Sequence, residues 1–175
     1  MHVIDDNQVI RENLSDAIQH RLPERRICIE KWDSAKAAAD SLVEEASNAP
    51  KPGEVAICDL FDIDHYAEQP ADEIFVFPPV SSLPGLPENV KRACLDNICR
   101  FFPPLIAAGL RIVVFSYVFS LLESEGDPDG ATEVRTALRE VGVSEDRILE
   151  KPEKRVDLTH LEPVANKVAA MIAEQ

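Results

Sequence analysis

Short apolar runs recur along the chain, and most of them end on a polar side chain. Runs of this kind are typical of buried parallel strands, because helices cover both faces of such strands. One further segment, centred on Ile27 and Ile29, also has the residue types of a strand. The pattern therefore predicts five short strands, at residues 1–4, 26–31, 55–60, 111–116 and 147–149.

Amphipathic helices separate the predicted strands. Asn7 is a candidate N-cap for a helix whose inner stripe includes Ile10, Leu14 and Ile18. Similar spacing predicts helices near residues 35–43, 88–102, 131–141 and 158–172. Alternating strands and helices indicate an α/β fold, and right-handed crossovers allow a flavodoxin-like doubly wound parallel sheet with the strand order 2-1-3-4-5. Residues 1–175 are predicted to form one such domain.

Polar residues stand at the ends of four predicted strands, where an open α/β sheet places its chemistry. They are, in chain order, Asp5 with Asp6, Asp59, Ser116 and Lys151. Three carboxylates at adjoining strand ends repel one another unless a cation neutralises them or one of them keeps a proton. Oxygen-only ligands with room for water suit Mg²⁺. The sequence therefore predicts a Mg²⁺ site at the three aspartates.

This ordered set of an acidic pair, an acid, a hydroxyl and a lysine resembles the receiver domain of two-component response regulators. The resemblance implies that Asp59 is the phosphorylated residue. It also implies that Asp6 binds the metal directly and Asp5 through water, while the backbone carbonyl of Phe61 completes the protein ligands. A Mg²⁺ ion beside a carboxylate lets that carboxylate accept a phosphoryl group, because the metal offsets the charge of the incoming phosphate.

Two more residues have roles in the chemistry that the resemblance implies. Lys151 provides a point charge suited to one phosphoryl oxygen, and Ser116 can donate a hydrogen bond to another. In the family the phosphodonor histidine belongs to a partner, so a histidine kinase or phosphotransfer protein is expected. The resemblance further implies a stand-alone, cytoplasmic receiver whose output passes to a downstream protein by direct contact.

Two insertions distinguish this sequence from the family pattern. Asp59 and Ser116 are 57 positions apart (116 − 59), which is more than one helix and two loops require. The excess falls in residues 61–87, expected beside the C-terminal rim of the sheet. Its apolar run, residues 74–77, is expected to pack on the domain or on a second copy, which allows a homodimer. A second, acidic insertion is predicted at residues 123–130.

Two substitutions support a second hypothesis. Tyr117 follows Ser116 where the family usually carries a small residue, and Ile148 replaces the family's switch aromatic on strand five. A domain without that ring lacks the family's usual coupling between hydroxyl and aromatic ring. Both residues favour a pseudo-receiver, an interaction module that keeps the fold without being phosphorylated. The intact acidic trio opposes this hypothesis.

A third hypothesis is an enzyme. The segment at residues 57–65 also resembles the first motif of haloacid-dehalogenase-type phosphatases, in which an apolar strand precedes Asp-x-Asp. That resemblance implies Asp62 as nucleophile and Asp64 as general acid, with Ser116 and Lys151 in supporting roles. It explains the long insertion as a cap. It leaves Asp5 and Asp6 without a purpose, and the chain after Lys151 lacks the expected acidic pair.

Composition limits the choice of partners. A formal net charge of −14 argues against nucleic acid or an anionic membrane surface, both of which require basic patches. No apolar run has the length of a membrane span, and no signal peptide is evident at the N-terminus. The four cysteines form no Cys-x-x-Cys motif. We expect them to be reduced, with Cys28 and Cys58 in strands and Cys94 and Cys99 on different faces of a helix.

Overall fold

The computed structural model describes residues 1–24, 28–44, 53–60, 86–151 and 158–173. They contain a five-stranded parallel sheet in the order β2-β1-β3-β4-β5. This result confirms the predicted α/β fold with flavodoxin-like strand order. The strands are β1 (His2–Ile4), β2 (Glu30–Trp32), β3 (Val55–Cys58), β4 (Arg111–Ser116) and β5 (Ile148–Glu150).

Six α-helices are present in these described ranges, and they flank the sheet. They are α1 (Gln8–Arg21), α2 (Ala35–Ala39), α3 (Leu86–Ala107), α4 (Val118–Ser124), α5 (Pro128–Glu140) and α6 (Leu158–Ala173). A π-helical turn, Asp40–Glu44, continues α2, and a 3₁₀ turn, Glu145–Arg147, leads into β5. Within the described part of the chain, no helix combines the length and apolar character needed to cross a membrane.

Two hydrophobic cores lie on opposite faces of the sheet because successive strand residues point to opposite sides. On β4, Ile112 and Val114 belong to the core under α2 to α5, whereas Val113 and Phe115 belong to the core under α1 and α6. All four side chains are buried. Burial on both faces explains why the central strands appear in the sequence as continuous apolar runs.

The second strand lies later in the chain than predicted. Residues 26–31 were expected, whereas β2 begins at Glu30, which pairs with His2. Cys28 precedes the strand and its side chain is exposed, so the expectation that it lies in a strand is wrong. β2 is an edge strand of three residues, and an edge strand requires little continuous apolar sequence. Its limits are set by pairing with the short strand β1.

Helix α3 is longer than predicted. The expected range was 88–102, and a Pro-Pro pair normally ends a helix. The observed helix continues through Pro103 and Pro104 to Ala107. Phe102 and Leu105, on either side of the pair, are fully buried in the core. This segment is therefore helical and packed into the core, although its local sequence disfavours a helix.

The predicted second insertion, residues 123–130, is the end of one helix and the start of another. Helix α4 was not predicted; only Tyr117 separates it from β4. Asp127 caps the next helix, α5, by accepting a hydrogen bond of 2.9 Å from the Gly130 N–H, and Pro128 occupies the first turn. An N-cap aspartate followed by proline is a helix-start signal, so this turn-like sequence begins a helix.

Candidate functional site

Parallel strand pairing brings the predicted site residues to one edge of the sheet. The ladder continues one residue beyond the strands, where the Asp59 N–H donates to the Ile4 carbonyl at 2.9 Å. In the same way the Lys151 N–H donates to the Ser116 carbonyl at 3.0 Å. Each predicted residue follows or ends a strand that lies beside another such strand. Their side chains therefore meet at the C-terminal rim.

Lys151 joins two of the three aspartates. Its Nζ lies 2.8 Å from Asp5 Oδ2 and 2.5 Å from Asp59 Oδ2. Residue Lys151 is only 6 % exposed, and both carboxylates are buried as well. A buried ammonium needs such partners, because an isolated charge in the protein interior costs several kcal/mol. The lysine is thus held in a two-carboxylate ion pair.

Asp59 is held at both oxygens. Its Oδ1 accepts hydrogen bonds from Ser116 Oγ at 2.6 Å and from the Leu60 N–H at 2.7 Å. Its Oδ2 accepts from Lys151. Charge-assisted hydrogen bonds from three donors fix the orientation of the carboxylate. Ser116 also lies just before α4, and its Oγ is 3.5 Å from the N–H of Val118, the first residue of that helix.

The start of helix α1 positions the acidic pair. Asp5 Oδ1 accepts a hydrogen bond of 2.9 Å from the Asn7 N–H, and Asn7 in turn caps the helix by accepting from Val9 and Ile10. The Arg11 guanidinium donates to the backbone carbonyls of the aspartate pair. Asp5 is buried, with 3 % exposure, whereas Asp6 is half-buried. The two neighbouring acids therefore differ in contact with solvent.

Electrostatics at the rim favour the uptake of positive charge. Burial, followed by the negative charge of Asp59, raises the pKa of Asp5 from 3.8 to about 7, although Lys151 acts in the opposite direction. Burial alone would lower the pKa of Lys151, but the charges of Asp59 and Asp5 outweigh it and hold that pKa above its usual value. One ammonium is therefore insufficient to neutralise the acids, and Asp5 retains a proton more readily than an ordinary aspartate.

The three aspartates satisfy the geometric requirement for a shared cation. One oxygen from each of Asp5, Asp6 and Asp59 lies within 4.8 Å of the others. An all-oxygen donor set that opens to solvent on one side is the environment that Mg²⁺ prefers, since Mg²⁺ keeps several waters. The residues present therefore fit the predicted ion. Phe61, the expected carbonyl ligand, lies outside the described residues.

A cleft beside the acids contains a residue that sequence reasoning missed. Its lining residues include the three aspartates, Ser34 at the start of α2, and Asn97 from the middle of α3. Asn97 is 6 % exposed, and its Nδ2 donates to the Leu60 carbonyl at 3.3 Å. In the sequence, one polar residue of an amphipathic helix cannot be distinguished from the polar residues on its exposed face. Only the tertiary fold shows that this one lies at the rim.

The two residues that favoured a pseudo-receiver occupy different surroundings. Tyr117 is half-buried and packs against the core on the α2 to α5 side, and it is not among the residues that line the cleft. Ile148 is buried in β5 and pairs with Val114. Asp62 and Asp64, required by the phosphatase hypothesis, lie outside the described residues, as do residues 61–85 of the long insertion.

All four cysteines are free thiols. Cys58 and Cys94 are buried, and burial together with the nearby charge of Asp59 raises the pKa of each thiol far above its usual value. Both thiols therefore stay protonated and act as small core side chains. Cys99 is exposed, in agreement with the expected placement of Cys94 and Cys99 on different faces of their helix.

No protein-family model, curated protein or solved structure matches this chain.

Proposed function

We propose that this protein is a receiver-type signalling domain that accepts a phosphoryl group on Asp59 in a Mg²⁺-dependent reaction. The observation that carries the proposal is that Lys151 and Ser116 both contact the carboxylate of Asp59, with Asp5 and Asp6 close by, at the switch point of a parallel sheet. Open α/β sheets bind ligands at this position. Each contacting side chain has a role in phosphoryl transfer.

The chain's own residues divide the task as follows. A bond forms between an oxygen of Asp59 and the donor's phosphorus, while the bond from phosphorus to the donor nitrogen breaks. That nitrogen keeps the electron pair. Lys151 Nζ leaves Asp59 Oδ2 and pairs with a phosphoryl oxygen, and Ser116 Oγ donates to another. Asp5, Asp6 and Asp59 would hold Mg²⁺, and the ion would supply positive charge that offsets the charge of the phosphoryl oxygens.

The proposed partners follow from this chemistry. A protein phosphohistidine, on a histidine kinase or phosphotransfer protein, is the donor, and the output passes to a downstream protein. A cytoplasmic location and a homodimer through residues 74–77 belong to the same proposal. The net charge of −14 supports protein partners over nucleic acid or anionic membrane.

A pseudo-receiver remains the second candidate, and one observation favours it. Both oxygens of Asp59 are engaged by donors, so the carboxylate must exchange partners before it can react. A domain that never makes this exchange would use the ion pair as a structural element. Ile148, in place of an aromatic switch residue, fits the same interpretation.

Substitution of neighbouring aspartates separates the candidates. We expect Asp59→Asn to abolish Mg²⁺-dependent labelling by a small phosphodonor such as phosphoramidate, because the amide is a poor nucleophile. Asp62→Asn is the matched control, and it should be labelled like the unaltered protein. Labelling is measured on folded protein with and without a chelator of Mg²⁺.

The same pair of variants distinguishes the other outcomes. If Asp62→Asn loses activity toward a model phosphoester while Asp59→Asn retains it, the phosphatase hypothesis is correct and this proposal is wrong. If the unaltered protein binds Mg²⁺ and is never labelled, the pseudo-receiver is correct.

A further inference from the structure

Asn97 is a buried polar residue that the proposed chemistry does not use. It projects from α3 to the end of β3, where its Nδ2 donates to the Leu60 carbonyl at 3.3 Å. The next group toward the site is the Leu60 N–H, which donates to Asp59 Oδ1 at 2.7 Å. Asn97 is therefore connected to the acceptor carboxylate through a single residue of backbone.

The orientation of the amide follows from this bond. The Leu60 carbonyl can only accept, so the donor Nδ2 must face it and Oδ1 must point elsewhere. Oδ1 receives no hydrogen bond from the described residues. Every fully buried side-chain nitrogen or oxygen in those residues has a partner. Oδ1 is therefore not fully buried, and Asn97 lines the cleft together with Asp5, Asp6 and Asp59.

An acceptor oxygen that faces the solvent side of a cation site has a specific use. Mg²⁺ keeps several of its waters in protein sites, and those waters are strong hydrogen-bond donors. Residues that accept from bound waters contribute to affinity although they do not touch the metal. Asn97 is 6 % exposed, so its side chain has little freedom to turn away from the cleft.

We infer that Asn97 is a further residue of the cation site: its Nδ2 bond to Leu60 directs Oδ1 toward the cleft, where Oδ1 accepts a hydrogen bond from water held by the cation. This inference rests on the proposed function for the presence of the cation. Asn97 is a positioning residue for the hydrated ion and takes no part in the chemistry at phosphorus. Cation binding therefore depends on the position of helix α3, which carries Asn97.

Calorimetric titration with Mg²⁺, far below the melting temperature, tests the inference. We expect Asn97→Ala to weaken Mg²⁺ binding about tenfold, the usual effect of losing an outer contact of a metal site. Asn97→Leu, which keeps a side chain of similar size but has no acceptor oxygen, should weaken Mg²⁺ binding to a similar extent. A merely structural role would lower the melting temperature in both variants and leave the affinity unchanged.

Asn89 provides the matched control. It lies on the same helix, and its Oδ1 accepts a hydrogen bond of 2.7 Å from Arg92 on the exposed side. Asn89→Ala and Asn89→Leu should bind Mg²⁺ like the unaltered protein. An unchanged affinity in Asn97→Ala or in Asn97→Leu would overturn the inference.

Asp59→Asn separates this inference from the proposed function. If the unaltered protein binds Mg²⁺ and Asp59→Asn does not, the acidic site stands whatever the Asn97 variants show. If the unaltered protein does not bind Mg²⁺, both the site and the role of Asn97 are wrong.

Discussion

Lys151→Ala is expected to destabilise the metal-free protein by about 3 kcal/mol at neutral pH, since removing one partner of a buried ion pair leaves an uncompensated charge. Lys151 pairs with Asp5 and Asp59, and all three residues are buried. Without the ammonium, carboxylates that already repel each other lose their main counter-charge. Denaturant unfolding at pH 7.5 in the presence of a chelator measures the loss.

Mg²⁺ should recover much of that stability, because the cation replaces the missing positive charge. Lys167→Ala is the matched control: Lys167 pairs with Asp146 on the surface, and such pairs contribute little to stability because solvent screens them. A Lys151→Ala variant that loses no more stability than Lys167→Ala would show that the lysine does not neutralise the site. In that case its proposed transfer to a phosphoryl oxygen would also lose its basis.

Stability of the metal-free protein is expected to fall as the pH rises from about 4 to about 7, because of Asp5. Its pKa is 3.8 when unperturbed and about 7 in the folded protein. Between these values the folded state holds a proton that the unfolded state has released, so each rise in pH disfavours folding. This stabilisation is fully present below the pKa that Asp5 has in the unfolded chain. It is lost as the pH rises through the pKa that Asp5 has in the folded protein. The expected loss is on the order of 4 kcal/mol.

Asp5→Asn should remove this pH dependence and make the metal-free protein more stable than the unaltered protein at pH 8. Urea unfolding at pH 5 and pH 8 measures the effect, with the exposed Asp16→Asn on α1 as control. Mg²⁺ should stabilise the unaltered protein more at pH 8 than at pH 5, because the cation requires ionised carboxylates. Equal pH dependence in Asp5→Asn and in the unaltered protein would contradict the assignment.

The sequence was sufficient to predict an α/β sheet because strand and helix signals alternate along it. The apolar run of β4 was predicted at its observed limits, and the observed strand order 2-1-3-4-5 is the one that right-handed crossovers allow. Residues at the strand ends then had to meet at one rim. The proximity of Asp5, Asp59 and Lys151 could therefore be predicted from the sequence.

Features that depend on tertiary packing could not be predicted. Helix α3 continues through Pro103 and Pro104 while its neighbours Phe102 and Leu105 are buried, and no local rule anticipates that. The position of β2 depends on its pairing with His2–Ile4. Asn97 belongs to the rim only because α3 packs beside the end of β3. In each case a contact distant in sequence decides the outcome.

A crystal structure of the protein with Mg²⁺ and trifluoroberyllate, a mimic of the phosphoryl group, tests the central claim most directly. The account predicts Mg²⁺ among Asp5, Asp6 and Asp59, with the beryllium bonded to an oxygen of Asp59. Lys151 Nζ should have left Asp59 Oδ2 for a fluorine, and Ser116 Oγ should donate to another. A structure in which Lys151 remains on Asp59, with neither Mg²⁺ nor beryllium at the acids, would contradict phosphoryl acceptance at this site.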